Sequence, residues 1–232
     1  GGSLKEAARA IGKNMPFWLV FSATLIVGIT TIFFGNNLIY YTKYALSLHE
    51  HQSIILFTSG IVAFLSIPFW WFISNKIGKK FTWLFSSTLT LLAFIIFYFY
   101  QINSLYELLF LVAFIGFGSG AGGILFWSML PDTIEYGEVL TGVRSESSLY
   151  GFMTFAQKGS IAFAIIILGI VLDVIGFQAN EVQTENTLTN MKLIMTLIPS
   201  LGIATSLVII YFYPIDAKMH KNLLKKLQEV TE

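Results

Sequence analysis

The stretch LLAFIIFYFY, residues 91–100, decides the class of fold because it is apolar on every face. A strand of an outer-membrane barrel is about ten residues long and alternates apolar with polar side chains, so this stretch argues against a barrel. Crossing the ~30 Å hydrocarbon layer as a helix takes about 20 mostly apolar residues. The 232-residue chain is 55% hydrophobic and only 12% charged, which is typical of an integral membrane protein. We predict an all-α polytopic membrane protein with six spanning helices, near 16–42, 52–74, 81–101, 105–130, 148–175 and 192–213.

Basic residues are distributed unevenly among the segments that join the six predicted spans. One side carries nearly all of them, whereas the opposite side holds only Lys43 and Lys192, and Lys158 falls within a span. The polar segment 178–190 has no Lys or Arg, which indicates an external loop. By the positive-inside rule we predict that both termini are cytoplasmic. We expect the membrane to be the inner (plasma) membrane of a bacterium.

Three regions are expected along the chain. Residues 1–15 are predicted to form a short cytoplasmic helix, because Ser3 followed by Glu6 is typical of a capping box. Residues 16–213 hold the spans. Residues 214–232 are predicted to form a cytoplasmic amphipathic tail, with a plain solvated tail as the alternative. The predicted apolar stripe of this tail consists of Leu223, Leu224, Leu227 and Val230.

Lys158 is the feature that points most directly to function. In a helix that starts near Ser148 it would lie about 15 Å along the axis, close to the bilayer centre. Placing a lysine there costs about 2.5–3.5 kcal/mol even on the mildest scale. Intramembrane ionisable groups generally mark pathways or relays, so we expect Lys158 to face a wet cavity or an acidic partner. The alternative is a purely structural ion pair between helices.

The surroundings of Lys158 on its own helix form a small and polar stripe. This stripe consists of Ser147, Gly151, Thr154, Lys158 and Ala162, with Tyr150 and Gln157 at its border. No carboxylate of this sequence is predicted at the depth of Lys158, because all candidates fall at or beyond span ends. We therefore expect its counter-charge on another polypeptide segment or on a ligand.

The fourth predicted span contains GFGSGAGG, residues 116–123, in which small residues recur at spacing four. Such spacing lets helix backbones approach closely, so helix packing is one interpretation. A flexible or cavity-lining segment is the other.

An acidic series follows the fourth span on the side that the positive-inside rule makes basic. Asp132, Glu135 and Glu138 recur at spacing three, so a helical continuation would stack them, with Arg144 following the turn. The alternatives are a generic acidic loop and a charge lock that closes the inner mouth.

Metal chemistry is not expected, because the chain has no cysteine and no HExxH motif. The three histidines are predicted to be solvated loop residues: His49, His51 and His220.

Several motifs together resemble one family of carriers. These motifs are YYTKYAL (Tyr40–Leu46), IPFWWFISNKIGKK (Ile67–Lys80) and, most specifically, PDTIEYGEVLTGVRSESSLYGFMTFAQKGSIAF (Pro131–Phe163). In this order they resemble the C-terminal six-helix half of the glycoside-pentoside-hexuronide:cation symporters, the melibiose permease-like group of the major facilitator superfamily.

The resemblance implies roles for individual residues. Lys158 matches a lysine near the sugar and cation sites, and Thr154 matches a neighbour one turn away; Tyr150 and Gln157 follow from their place on the same helix. Three residues match the cytoplasmic gate network of the family: Asp132, Glu135 and Arg144. The sequence departs from the superfamily pattern at Trp71 and Asn75, and from the family pattern at Val139 and Leu140.

The resemblance also implies partners. In the family, the acidic cation ligands and most sugar-binding residues belong to an N-terminal six-helix half, which would be part of the same full-length chain or a second chain. Residues 1–15 would then link the two halves. The other expected partners are a sugar or glycoside and the lipid bilayer, with no nucleic acid, and no cofactor beyond a coupling Na⁺ or H⁺.

The function that we expect is secondary active transport, in which Na⁺ or H⁺ entry drives uptake of a sugar or glycoside by alternating access. Gate salt bridges between the halves would favour the outward-facing state. The alternatives are a stand-alone six-span binding or scaffold protein and a lysolipid:cation symporter. An intramembrane enzyme is not expected, because the sequence shows no catalytic pair at membrane depth.

Overall fold

A computed structural model of the chain describes residues 11–231, and within this range every regular element is helical. The helices are α1 (Met15–Tyr44), α2 (Gln52–Ile77), α3 (Lys79–Phe99), α4 (Leu105–Thr141), α5 (Glu146–Val174), α6 (Glu185–Tyr211) and α7 (Ala217–Thr231), with a 3-10 turn at His49–His51. The first six are long and apolar enough to cross a membrane, which confirms the predicted all-α fold with six spans. The capping box predicted at Ser3 and Glu6 lies outside the described residues.

Local signals explain where these helices begin and end. At the start of α1, the Asn14 side chain accepts a hydrogen bond from the backbone N–H of Phe17 at 3.1 Å. Helix α4 continues beyond the predicted span end at residue 130 and stops at Gly142, whose φ of 69° is the left-handed conformation that favours glycine. Helix α6 begins inside the polar segment that was predicted as an external loop. This prediction is wrong from Glu185 onward, because the side chain of Thr184 caps the helix there.

The six spans pack around two central helices. Helix α1 packs against α5 and α6, α4 packs against α2 and α3, and α1 and α4 contact each other. Helices α3 and α6 close one side of the bundle by packing together. The opposite side stays open, because α2 and α5 make no extensive contact with each other.

Glycines bring α4 close to its neighbours. A Cβ added to Gly116 would collide with the backbone of Ser59 on α2, and one added to Gly118 would collide with Thr90 on α3. By contrast, Gly122 and Gly123 have open space around the position of a Cβ. Both interpretations of the GFGSGAGG stretch therefore hold, with packing in its first part and a cavity wall at its end.

The apolar core consists of two clusters, one toward each end of the bundle. The cluster at the end that carries α7 includes Phe17, Trp70 and Tyr213. The other includes Phe33 and Leu108. Large apolar side chains also cover the outside of the bundle, which suits a surface that faces lipid.

Candidate functional site

A cavity of about 720 Å³ opens on the side where α2 and α5 do not meet. Helices α1, α2, α4 and α5 form most of its wall, and α3 contributes Trp83. The lining combines aromatic rings, hydroxyls and glycines with one charged side chain, that of Lys158. A mostly apolar concave wall with a few polar groups is typical of a small-molecule site.

Lys158 lies deep within the membrane-spanning part of α5. About 18 Å of helix separate it from Glu146, the first residue of α5, so its ammonium cannot easily reach water at that end. The side chain is exposed, and among residues 11–229 it makes no ion pair or hydrogen bond. An uncompensated ammonium at this depth is tolerable only where water, a ligand or another polypeptide covers it.

The other predicted binding residues divide into two groups. Gln157 lines the cavity together with Lys158. Thr154 and Tyr150 do not line it. The Thr154 hydroxyl donates to the backbone carbonyl of Tyr150 at 2.9 Å, and the Tyr150 ring stacks on Trp127 at a centroid distance of 6.2 Å. The structure therefore brings Gln157 to Lys158 and leaves Thr154 and Tyr150 on a neighbouring surface.

Two further lining residues were not predicted from the sequence. Trp83 lines the cavity, and its indole N–H donates to the Ser206 hydroxyl at 3.0 Å, which fixes the orientation of the ring. Thr24 also lines this cavity, and its hydroxyl is buried without a hydrogen-bond partner in the described part of the chain.

A charge cluster lies toward the C-terminal end of α4, where Asp132 is buried. The Lys79 ammonium contacts both Asp132 oxygens at 2.7 and 2.8 Å and donates to the carbonyl of Ser128 at 2.6 Å. His220 Nε2 lies 3.3 Å from Asp132 and 2.8 Å from Glu135. These contacts tie α4 to the α2–α3 turn and to α7.

His220 is the residue whose environment was predicted wrongly. It was expected to be a solvated loop residue, but it lies on α7 and bridges the two carboxylates of α4. The ligating atoms of Asp132, Glu135 and His220 lie within 4.8 Å of one another, which would suit a metal ion. However, Lys79 already occupies both Asp132 oxygens, so the cluster is an ion-pair network and not an open metal site.

Arg144 belongs to a separate group. Its guanidinium pairs with Glu138 at 2.7 Å and with Glu146 at 2.9 Å, and these two carboxylates raise its pKa above the ordinary value. The predicted row of three acids is therefore divided. Asp132 and Glu135 face α7, whereas Glu138 faces the α4–α5 turn.

The tail helix α7 also packs on the bundle through apolar contacts. Leu223 is buried and Met219 packs against the same core cluster, whereas Leu224 is largely exposed. Together with the His220 contacts, this packing places α7 across the end of α4.

Comparison with known proteins connects this geometry to a family. Residues 1–217 match the family model described as MFS/sugar transport protein. The "Glucuronide carrier protein homolog" of Escherichia coli (strain K12) is 28% identical over 223 residues, covering 96% of this chain and 49% of that protein. A protein of the same strain whose name describes a sulfoquinovose importer is 30% identical over 235 residues, with coverages of 98% and 49%. The symporter YnaJ of Bacillus subtilis (strain 168) is 29% identical over 205 residues, with coverages of 88% and 44%.

The chain spans about half the length of these curated relatives. Its six-helix bundle agrees with one half of a major facilitator fold, and its relatives are named as carriers and symporters. The chain therefore belongs to the MFS/sugar transport protein family, within the group of glycoside-pentoside-hexuronide:cation symporters.

Proposed function

We propose that this chain forms half of a secondary active transporter that couples the entry of Na⁺ or H⁺ to uptake of a sugar or glycoside. The observation that carries the proposal is Lys158, an ammonium without a partner in the described part of the chain, on the wall of an open 720 Å³ cavity. A scaffold protein would have no reason to maintain the cost of this charge, and catalysis would need a second ionisable group beside it.

The open side of the cavity supports the proposal that a second six-helix half packs against this one. Helices α2 and α5 leave the cavity open between them, and the relatives are about twice as long as this chain. Carboxylates of that half would pair with Lys158, and the coupling cation would compete for them. Lys158 and Gln157 would also donate hydrogen bonds to substrate hydroxyls, with Thr154 about one turn and Tyr150 about two turns nearer the cytoplasm.

The charge cluster at the end of α4 fits a cytoplasmic gate. Asp132 and Glu135 would belong to the gate through Lys79 and His220, which link them to the start of α3 and to α7 and not directly to the other half. Arg144, whose side chain is 51% exposed, is the member best placed to reach across to the other half. Both termini would be cytoplasmic, in a bacterial inner membrane, with residues 1–15 linking the halves and residues 214–232 as the tail.

The test is cation-dependent uptake by cells that produce the intact protein of which this chain is part. The labelled panel should contain a neutral glycoside, a glucuronide, a sulfonated sugar and a lysolipid, each with a Na⁺ gradient, an H⁺ gradient or neither. Accumulation of one sugar under one gradient supports the proposal. Accumulation of the lysolipid alone would favour the lysolipid carrier, and no gradient-driven uptake of any compound would contradict transport.

Lys158→Met and Lys158→Arg are the matched pair for this assay. Lys158→Met keeps an unbranched side chain of similar length and removes the charge, whereas Lys158→Arg keeps the charge. We expect Lys158→Met to abolish coupled uptake and Lys158→Arg to retain part of it.

A further inference from the structure

A second cavity lies at the end of the bundle that carries α7. We call it the basic groove; it measures about 520 Å³ and lies where α2 turns into α3 and where α7 begins. Its lining includes Lys76, Lys79, Lys80 and Lys218. It shares no lining residue with the cavity around Lys158.

The acids in the basic groove already have partners. Asp132 is held by Lys79, and Asp216 accepts the backbone N–H of Met219 at 2.7 Å. The groove is thus lined by four lysines and only two aspartates, and each aspartate already accepts a hydrogen bond. The groove therefore carries an excess of positive charge.

Two of the lysines are available to a ligand. The ammonium of Lys80 donates to the carbonyl of Tyr213 at 2.8 Å, which satisfies part of its hydrogen-bonding capacity. Lys76 lies over the ring of Phe72 at 4.2 Å, and neither Lys76 nor Lys218 makes an ion pair within the described residues. Both side chains belong to exposed residues, so an anion can approach them.

The start of α3 adds further positive potential to the groove. No side chain caps this helix, and its first turn contains no acidic residue. The first N–H groups of a helix have no helical partner and carry a partial positive charge, which favours anions. Lysines at the first two positions of α3 oppose the helix dipole, and an anion bound beside them would relieve this repulsion.

Apolar side chains flank the groove at the ends of the two spans. Ile77 is 46% exposed and Phe81 is 57% exposed, and both belong to the lining. A ligand with a charged head and apolar tails matches this combination, and basic pockets between spans are known to hold lipid head groups. We propose that the basic groove binds the phosphate head group of an anionic phospholipid, whose acyl chains lie along the exposed faces of α2 and α3.

Lys76 and Lys218 contact the phosphate, and the start of α3 contributes its N–H groups. The lipid then joins the α2–α3 turn to the beginning of α7. The groove is separate from the central cavity, because the two share no lining residue, but it lies beside the charge cluster and includes Lys79, Asp132 and His220.

The experiment measures lipid binding to the purified intact protein by native mass spectrometry, with phosphatidylglycerol and phosphatidylcholine of the same chain length. The test variant is Lys76→Gln with Lys218→Gln. The matched control is Lys225→Gln with Lys226→Gln, which removes the same charge from exposed residues of α7 outside the groove. Each lysine near an anionic lipid contributes about 1 kcal/mol, so we expect the test variant to bind phosphatidylglycerol roughly 30-fold more weakly.

Three results would overturn the proposal. One is equal binding of phosphatidylglycerol and phosphatidylcholine by the unmodified protein. Another is a test variant that binds phosphatidylglycerol as tightly as the control variant. The third is full displacement of the lipid by soluble glycerol 1-phosphate at matched concentration, which would assign the groove to a free phosphate. Thermal unfolding of both variants checks that they fold, and we expect it to be unchanged because all four lysines are at the surface.

Discussion

Tyr213 illustrates how one buried hydroxyl affects stability. The side chain is fully buried, and its hydroxyl has no hydrogen-bond partner within the described residues. Burial, followed by the nearby Asp132 carboxylate, holds the pKa of Tyr213 well above the ordinary 10.0. Because the folded state favours the neutral phenol, its contribution to stability is complete below pH 10 and is lost as the pH rises toward the folded pKa.

We therefore predict that Tyr213→Phe stabilises the protein by about 1 kcal/mol at neutral pH, since it removes an unsatisfied buried hydroxyl. It should also reduce the loss of stability above pH 10. Thermal unfolding between pH 7 and 11 measures both effects, with Tyr211→Phe, whose ring is 66% exposed, as the control. A Tyr213→Phe variant that is less stable at pH 7 would show that the hydroxyl has a partner.

A substitution at Gly120 can test the close approach between α4 and α2. A Cβ at this position would collide with the Ser66 side chain and the Ala63 carbonyl, whereas Gly123 faces open space. Gly120→Ala should destabilise the bundle by about 1–3 kcal/mol through overpacking, and Gly123→Ala should change it little. The measurement is thermal unfolding in detergent. Equal melting temperatures for the two variants would contradict the described packing.

The individual residues also show what the sequence could and could not predict. The position of Lys158 along its helix was predictable from the length of the helix. The position of Gln157 beside it was predictable because the two residues are adjacent in the sequence. The sequence could not show that the Thr154 hydroxyl bonds to its own helix, because this depends on a side-chain rotamer. Lys79 and His220 were missed because their partner Asp132 is 53 and 88 positions away, and only the packed bundle brings them together.

At the scale of elements, α7 is held on α4 by one bridging histidine and by apolar packing. Removing the His220 side chain would leave Glu135 without its partner, while Asp132 would keep Lys79. We predict that His220→Gln increases amide hydrogen exchange in α7 by roughly tenfold or more, because a hydrogen bond to a charged group contributes about 1.5–3 kcal/mol. Exchange in α1 should stay unchanged.

The control for this prediction is His51→Gln, because His51 is exposed at the other end of the bundle. Unchanged exchange in α7 of the His220→Gln variant would mean that apolar contacts alone hold the helix in place.

Helix boundaries were predictable only where the hydropathy changes sharply. The start of α2 was predicted at its observed residue, Gln52. Helix α6 starts earlier than its apolar run, because the capping signal of Thr184 lies within a polar segment that resembles a loop. Composition identifies the part of a helix that faces lipid, and caps determine where the helix ends in water.

At the scale of the whole molecule, the open side of the bundle is where the proposed second half would pack, and the proposed alternating access would take place there. Arg144 is half exposed, so its pairs with Glu138 and Glu146 contribute less than about 1 kcal/mol to folding. We predict that Arg144→Ala leaves thermal unfolding almost unchanged but raises cytoplasmic labelling of a cysteine introduced at Gly123. Lys226→Ala, which removes a charge from the exposed tail, is the control. Unchanged labelling with Arg144→Ala would contradict its role in the gate.

The most direct test of the account is the water accessibility of position 158. The chain has no cysteine of its own, so Lys158→Cys can be labelled by a membrane-impermeant thiol reagent in the intact protein, with any other cysteines replaced. Phe163→Cys on the same helix is the control, because Phe163 is 51% exposed but does not line the cavity. We predict rapid labelling at position 158 and little labelling at position 163. An unreactive Lys158→Cys, or equal reactivity at the two positions, would contradict the central claim that Lys158 faces a water-filled transport cavity.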